Sequence, residues 1–298
     1  MPVRLRKYSG EQGFTEDFHK VRDFLIRVNE QKMVTTDFTW ERWEWILSLP
    51  YMDKSRLSQI GIWEDKGKIV AMATYEEEPG CAYFIVDPAY MHLKREMLIY
   101  AEKELAVNGQ INALIQDIDI PFQKIALESG FFATVEKEGN SVLDITPERL
   151  NYTLPTGYSI RSLSESDDIY KYNRVLWRGF NHQGEPPETE VQISNRRISL
   201  SGPHNNLDLK VAVLAPDGNF ASYCGMWYEP GTEYCLVEPV ATDPDYRLKG
   251  CGRAAVLEGI KRCAAMGARR AYVGSDQQFY YKIGFRPLPQ YTFWKKTI

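Results

Sequence analysis

Val237-Glu238-Pro239-Val240-Ala241-Thr242-Asp243-Pro244-Asp245-Tyr246-Arg247-Leu248-Lys249-Gly250-Cys251-Gly252-Arg253 reads as a strand, a tight turn and the start of a helix. Gly250 and Gly252 let the backbone approach a ligand closely. The first amides of a helix have no intrahelical acceptor, and the helix dipole favours negative charge beside them. Such a turn holds a phosphate or pyrophosphate without dedicated side chains. The local charge agrees. From Arg247 to Arg270 stand Arg247, Lys249, Arg253, Lys261, Arg262, Arg269 and Arg270, against the single acid Glu258. In a chain of net charge −4 that is a concentrated cationic segment.

Two familiar phosphate loops do not fit. A Walker A loop needs Gly-Lys-Ser/Thr, and here Arg253-Ala254 follow Gly252. A dinucleotide fingerprint keeps only its first two glycines, and it expects the turn directly after the strand, whereas Asp243–Lys249 intervene.

Outward from the loop, residues Gly252–Met266 predict a helix with Val256, Leu257, Ile260, Cys263 and Ala264 on one face, ended by Gly267. Upstream, Tyr158–Leu163 reads as a strand and Asp167–Phe180 as an amphipathic helix, with Asp167-Asp168 at its start. Leu209–Ala215 and Phe220–Tyr228 read as strands joined by Pro216-Asp217-Gly218, and Tyr234–Ala241 as the next strand. Downstream come a short strand Ala271–Val273, a helix capped by Ser275 or Asp276 that runs to about Ile283, and a closing strand Thr292–Lys296. Strands and helices in this order predict an α/β (α+β) fold, a mixed sheet with helices on both faces.

The pattern occurs twice. Asp87-Pro88 matches Asp243-Pro244 at an offset of 156, Leu5-Arg6 matches Ile160-Arg161 at 155, and Gly130-Phe131 matches Gly284-Phe285 at 154. A near-constant offset in the same order is the signature of a duplicated domain. Pro147, Pro155 and Gly157 punctuate the join, which places one domain at residues 1–148 and the other at 152–298.

The Arg247-Leu248-Lys249-Gly250-Cys251-Gly252 run resembles the acetyl-CoA loop of the GNAT superfamily, Arg/Gln-x-x-Gly-x-Gly/Ala. Phe279-Tyr280-Tyr281-Lys282-Ile283-Gly284-Phe285 is similar to the aromatic-Tyr-x-x-x-Gly-Phe segment of the same family. The resemblance covers the second half of the chain. It departs at Val273-Gly274-Ser275-Asp276, where many relatives carry Asn.

The resemblance implies two GNAT-like domains, each a mixed, mostly antiparallel twisted sheet flanked by helices. It implies an N-acetyltransferase that uses acetyl-CoA as cosubstrate and a small-molecule or peptide amine as acceptor. Val240, Ala241 and Thr242 would lie along the pantetheine arm, bonded through the backbone of Val240 and Thr242. Arg247, Leu248, Lys249, Gly250, Cys251, Gly252 and Arg253 would surround the pyrophosphate, and Ser275 would contact the cofactor nearby. Glu238 is the candidate base, against a strand-edge glutamate with its bonds satisfied. Tyr280 is the candidate acid for the departing thiolate, against an aromatic packing residue. Two alternatives stand beside acetyl transfer: a non-catalytic acyl-CoA sensor, and a transferase with a different acyl donor.

The first copy reads as degenerate. With Tyr90 aligned to Tyr246, Lys94 falls at the Gly250 position and Glu96 at the Gly252 position, and Ala126 stands where Tyr280 would.

Composition narrows the classes. A sequence pI near 5.7 argues against nucleic acid as partner. No apolar run approaches the length of a membrane span, and Met1-Pro2-Val3-Arg4-Leu5-Arg6-Lys7 leads into no apolar core, so neither a membrane nor a signal peptide is expected. Five scattered cysteines suit a reducing cytoplasm, and without CxxC spacing or His neighbours they predict no metal. A monomer or homodimer is expected. Trp40, Trp43 and Trp45 read as core or interface aromatics. His182 reads as a surface-loop residue, with a place in the acceptor pocket as the alternative.

Overall fold

The computed structural model describes every residue except Met1, Pro2, Gln31, Lys32, Val34, Ser166 and Asp167. The chain folds into two compact units, residues 1–140 with 288–298, and residues 141–287.

The first unit runs β1 (Arg4–Lys7), α1 (Glu16–Asn29), α2 (Trp40–Ser48), β2 (Gly61–Asp65), β3 (Lys68–Thr74), β4 (Cys81–Val86), α3 (Lys94–Glu104), β5 (Gln110–Gln116), α4 (Ile120–Glu128) and β6 (Phe132–Glu138). Local chemistry starts these elements. The Thr15 hydroxyl accepts the Phe18 amide at the head of α1, where Glu16 and Asp17 sit in the first turn. Phe18, Val21, Phe24, Leu25 and Val28 line its buried face. Trp40 and Trp43 of α2 are fully buried in this unit's core, and Trp45 is half-buried.

The second unit runs β7 (Ser141–Asp144), β8 (Ser159–Ser162), α5 (Ile169–Gly179), α6 (Glu190–Ile198), β9 (Lys210–Leu214), β10 (Phe220–Tyr228), β11 (Tyr234–Thr242), α7 (Cys251–Ala265), β12 (Arg270–Val273), α8 (Gln278–Lys282) and β13 (Arg286–Pro287). The last strand of the chain is β14 (Tyr291–Thr297). The Asp168 carboxylate caps α5 by accepting the Lys171 amide, whereas the expected start at Asp167 lies outside the described residues. The helix expected from Ser275 or Asp276 begins later, at Gln278. The Ser275 hydroxyl accepts the Gln277 amide and so shapes the turn before α8.

Both sheets have seven strands. Their orders are β1-β2-β3-β4-β5-β14-β6 and β13-β7-β12-β11-β10-β9-β8. Read in the same direction they are one topology used twice, with β4 parallel to β5 as β11 is to β12. The fold is therefore the tandem, mixed α/β architecture expected of the repeat. Its Asp-Pro motif has the same local job in both copies: Asp87 accepts the Ala89 amide at 3.0 Å, and Asp243 accepts the Asp245 amide at 3.0 Å.

The compact units differ from the spans 1–148 and 152–298 by the exchange of two strands, β7 and β14. β7 from the first repeat pairs with β12, matching Arg270 to Asp144 and Val273 to Ser141. The closing strand of the second repeat, expected over Thr292–Lys296, is β14, and it lies between β5 and β6 in the first unit. Burial explains why these strands hold. Leu143 of β7 is fully buried in the second core, while Tyr291 and Trp294 of β14 are buried in the first unit. No described helix is long and apolar enough to cross a membrane.

A chain ending at Pro287 tests the exchange. Without β14, the β5 and β6 backbones lose their shared partner. Hydrogen exchange should show lost amide protection across β5 and β6, with protection kept in residues 141–287. Full protection of β5 in that chain would contradict the pairing.

Candidate functional site

β11 carries the site because its two edges are treated differently. Its parallel ladder with β12 runs from Tyr234↔Arg270 to Leu236↔Tyr272 and stops there, although β11 continues to Thr242. On the other edge, the register with β10 shifts between Cys224↔Val240 and Met226↔Val237. Glu238 and Pro239 thus oppose one residue, Gly225, in a bulge. A Cβ on Gly225 would lie 2.5 Å from the Glu238 carbonyl oxygen, so the bulge needs glycine there. Trp227 Nε1 donates to the same carbonyl at 3.0 Å and fixes it.

After Thr242 the chain turns through Pro244–Tyr246. Asp243 at the turn is fully buried and accepts from Arg174 Nη1 at 2.6 Å and from Arg178 Nε at 2.9 Å, both on α5. Arg178 also reaches Asp245 at 2.6 Å. Gly179 brings α5 close to β11, since a Cβ there would sit 2.7 Å from the Ala241 Cβ. Strand, turn and helix are thereby held as one piece.

Leu248 (φ +62°) and Gly250 (φ +84°) then take left-handed backbone and steer the chain into α7. Gly250 is the N-cap, so no side chain covers the helix start, and the first turn of α7 holds no acid. The Ala254 amide is the first to reach back, to the Gly250 carbonyl, which leaves the preceding amides without a helical acceptor. A Cβ on Gly252 would stand 2.9 Å from Thr242 Oγ1 and 3.4 Å from the Phe279 ring. The bare glycine is what lets this turn pack down on the strand.

A groove of about 680 Å³ opens here. Val240 and Thr242 line it from β11, Arg247 to Arg253 from the loop and α7 with the exception of Lys249, and Phe279, Tyr280 and Lys282 from α8. Three loop cations carry no ion pair among the described residues. Arg247 donates to the carbonyls of Thr242 and Gly179 and to Asn181 Oδ1. Arg253 donates to the Asn151 carbonyl, and Lys249 to the Asp245 carbonyl. Positive charge neutralised only by carbonyl dipoles, next to uncapped helix amides, makes a site for an anion with several charges.

Tyr280 is buried and lines the groove. Burial pushes its phenol well up, and Glu238 and then Cys224 push the same way, so the proton stays on the oxygen. That coupling shows Glu238 and Tyr280 to be electrostatic neighbours, although Glu238 does not line the groove.

The remaining expected residues fall as follows. Ala241 is buried against α5 and turns no side chain to the groove. Ser275 stands aside from it, its carbonyl accepting from Ser141 Oγ at 2.7 Å. Lys249 lines an adjoining cavity of about 490 Å³ with residues 151–155, Gly250 and Arg253. Burial pushes the Cys251 thiol up, with Lys249 opposing, as suits a packing residue. His182 is exposed and stacks on Trp177 at 4.4 Å. Sequence reasoning missed Gly225, the Arg174–Asp243–Arg178 cluster, and Phe180 and Asn181 at the groove's edge. The i, i+4 arginines on α5 were a usable signal, since that spacing aims both along one face.

The family model described as Acetyltransferase (GNAT) family matches residues 169–285, which contain the whole groove. The fold of the full chain is similar to a GCN5-related N-acetyltransferase from Sphaerobacter thermophilus, at 16% identity and TM-score 0.61 over 99% of this chain and 96% of that one. It is also similar to a tandem GNAT protein from the clavulanic acid biosynthesis pathway, at 13% identity and TM-score 0.65 over 99% and 98%. A Saccharomyces cerevisiae N-myristoyltransferase with bound myristoyl-CoA shares the fold at 13% identity and TM-score 0.55, over 100% of this chain and 81% of that one.

Replacing Asp243 by Ala should destabilise the second unit by about 2–4 kcal/mol, because two α5 arginines lose a buried acceptor. Urea unfolding followed through that unit's aromatics reads this directly. A loss below about 0.5 kcal/mol, the scale of an exposed pair, would make the cluster a surface feature.

Proposed function

We propose that the chain is, through its second unit, an acetyltransferase of the GNAT type in tandem form, and that it transfers the acetyl group of acetyl-CoA to a primary amine. The observation that carries this reading is the groove beside β11. It joins a strand with a free edge to an uncapped helix start flanked by Arg247 and Arg253, with Lys249 in the adjoining cavity. A pyrophosphate suits the helix start and its cations, and an extended amide-bearing arm suits the free edge of β11. The glycines at 250 and 252 suit the same ligand, because left-handed backbone at Gly250 and the close packing of Gly252 on Thr242 and Phe279 leave the helix start without a covering side chain.

The thioester supplies an activated acyl carbon. The amine nitrogen attacks it, the carbon–sulfur bond breaks, and an amide and a thiolate result. An amine of pKa about 10.4 is neutral in only about one molecule in a few thousand at pH 7, a handicap of roughly 4–5 kcal/mol. In this reading Glu238 removes the ammonium proton through water. Its position in the bulge keeps it half-buried and out of the ladder.

Tyr280 donates its proton to the departing sulfur. An unperturbed phenol is a weaker acid than a thiol by about 2 kcal/mol. Burial raises the phenol further. The same burial raises the thiol formed beside it, so the mismatch does not grow in proportion. Among its described residues the first unit lacks these features. Lys94 is buried in an ion pair with Asp119, and Glu96 accepts from Trp63 Nε1 at 2.8 Å. One coenzyme per chain is the consequence.

Calorimetric titration with acetyl-CoA should give a stoichiometry near one, and Gly252→Glu should abolish binding while circular dichroism stays near wild type. Binding of that variant within a few-fold of wild type would sink the loop assignment. In a free-thiol assay over a panel of amines, Tyr280→Phe should lower kcat by ~10²-fold with little change in coenzyme affinity. Glu238→Gln should flatten the rise of kcat/KM at basic pH. Coenzyme binding with no turnover of any amine would favour a sensor instead.

A further inference from the structure

The first unit has its own opening where β4 and β5 part. Their parallel ladder consists of Cys81↔Asn112 and Ala82↔Ala113, while the strands run on to Val86 and Gln116. A cavity of about 370 Å³ fills the gap. Its walls are largely apolar, with Phe84, Val86, Leu114 and Phe122 among them. Lys94 also faces it but is held by Asp119. No uncapped glycine turn stands here, so the cavity is unlike the groove of the second unit.

Among the described residues, Asp37 is the charged group in this wall that makes no ion pair. It is 4% exposed. Tyr291 of β14 hydrogen-bonds it as a neutral phenol. The nearest cation, Arg42 of α2, spends both arms of its guanidinium on Glu76, each at 2.6 Å, and gives its remaining nitrogen to the Asp37 carbonyl at 2.8 Å. Glu138 of β6 lies 4.0 Å from that same nitrogen and pushes the Asp37 carboxyl up. Three carboxyls, Asp37, Glu76 and Glu138, thus share one guanidinium, and the one bordering the cavity is the one Arg42 does not pair. Phosphates are disfavoured in such a field. A cation with an apolar body meets both the missing charge and the apolar walls.

We propose that this cavity binds an organic ammonium ion, its charged head against Asp37 and its apolar body between β4 and β5. The site is separate from the acyl-CoA groove and does not depend on the reading of that groove. Asp37 faces Tyr291, Arg42 and Glu138, and burial lifts its carboxyl to about 6. Below that pH Asp37 is neutral and the attraction is lost, so affinity falls as pH is lowered from 8 to 5.

Calorimetric titration of the full chain with 2-phenylethylammonium, against the isosteric neutral 2-phenylethanol, tests the site. The ammonium should bind saturably and at least tenfold more tightly than the alcohol at pH 8, with the advantage fading towards pH 5. Asp37→Asn should remove that advantage and leave acetyl-CoA titration unchanged. Ile118→Arg, at an exposed position on the cavity's rim, should weaken the ammonium several-fold without touching the core. No saturable binding to the wild-type chain would overturn the proposal. Equal ammonium affinity in wild type and both variants would overturn it too, by placing the amine elsewhere. So would a second acetyl-CoA lost on Ile118→Arg, which would make the cavity a coenzyme site.

Discussion

From Val237 to Thr242 the backbone of β11 has a strand neighbour on one side only. Everything distinctive about the second unit follows from keeping that stretch extended without a second partner. An unpaired strand edge is costly to bury and prone to stray pairing, so it must border solvent or a ligand. The bulge at Gly225, the Asp243 turn and the close approach of Gly179 hold the strand in place from its other side and its far end. The loop cations and the start of α7 then fall where the free edge ends. The groove is the space this arrangement leaves over.

The first unit shows the same skeleton after that requirement is relaxed. Its strands part in the corresponding place, yet the residue aligned with Gly250 is a buried lysine tied to Asp119. Side chains occupy the region where the second unit leaves backbone amides bare. Two sheets of one topology therefore offer opposite electrostatics at corresponding openings, cationic in one and acidic in the other. Shared fold carries little information about ligand; the charge and volume of a few side chains decide it.

Local pattern made most of this legible. The loop from Arg247 to Gly252, the helix ended at Gly267 and the strands from Leu209 to Ala241 are written in glycine positions and apolar spacing, and they stand close to where those signals put them. What sequence could not fix was partnership. Thr292–Lys296 reads as a strand, but nothing local says that Thr292 lies opposite Ile115. Ser275 was singled out by analogy with a family position, and nothing local told that its hydroxyl accepts the Gln277 amide before α8. Gly225 drew no reading from the sequence, because its reason lies across the sheet, at the Glu238 carbonyl.

The exchange of β7 and β14 also governs the order in which the molecule can form. Domains ordinarily fold from the N-terminus as they leave the ribosome. Here the second unit has all its strands once residue 287 has been made, whereas the first waits for β14, whose Thr292 bonds Asp117 across 175 residues of chain. The half synthesised first is completed last. Until then β5 and β6 are nascent edges, and contacts of such sequence separation form slowly. Translation thus leaves the N-terminal sheet open through the whole synthesis of its twin.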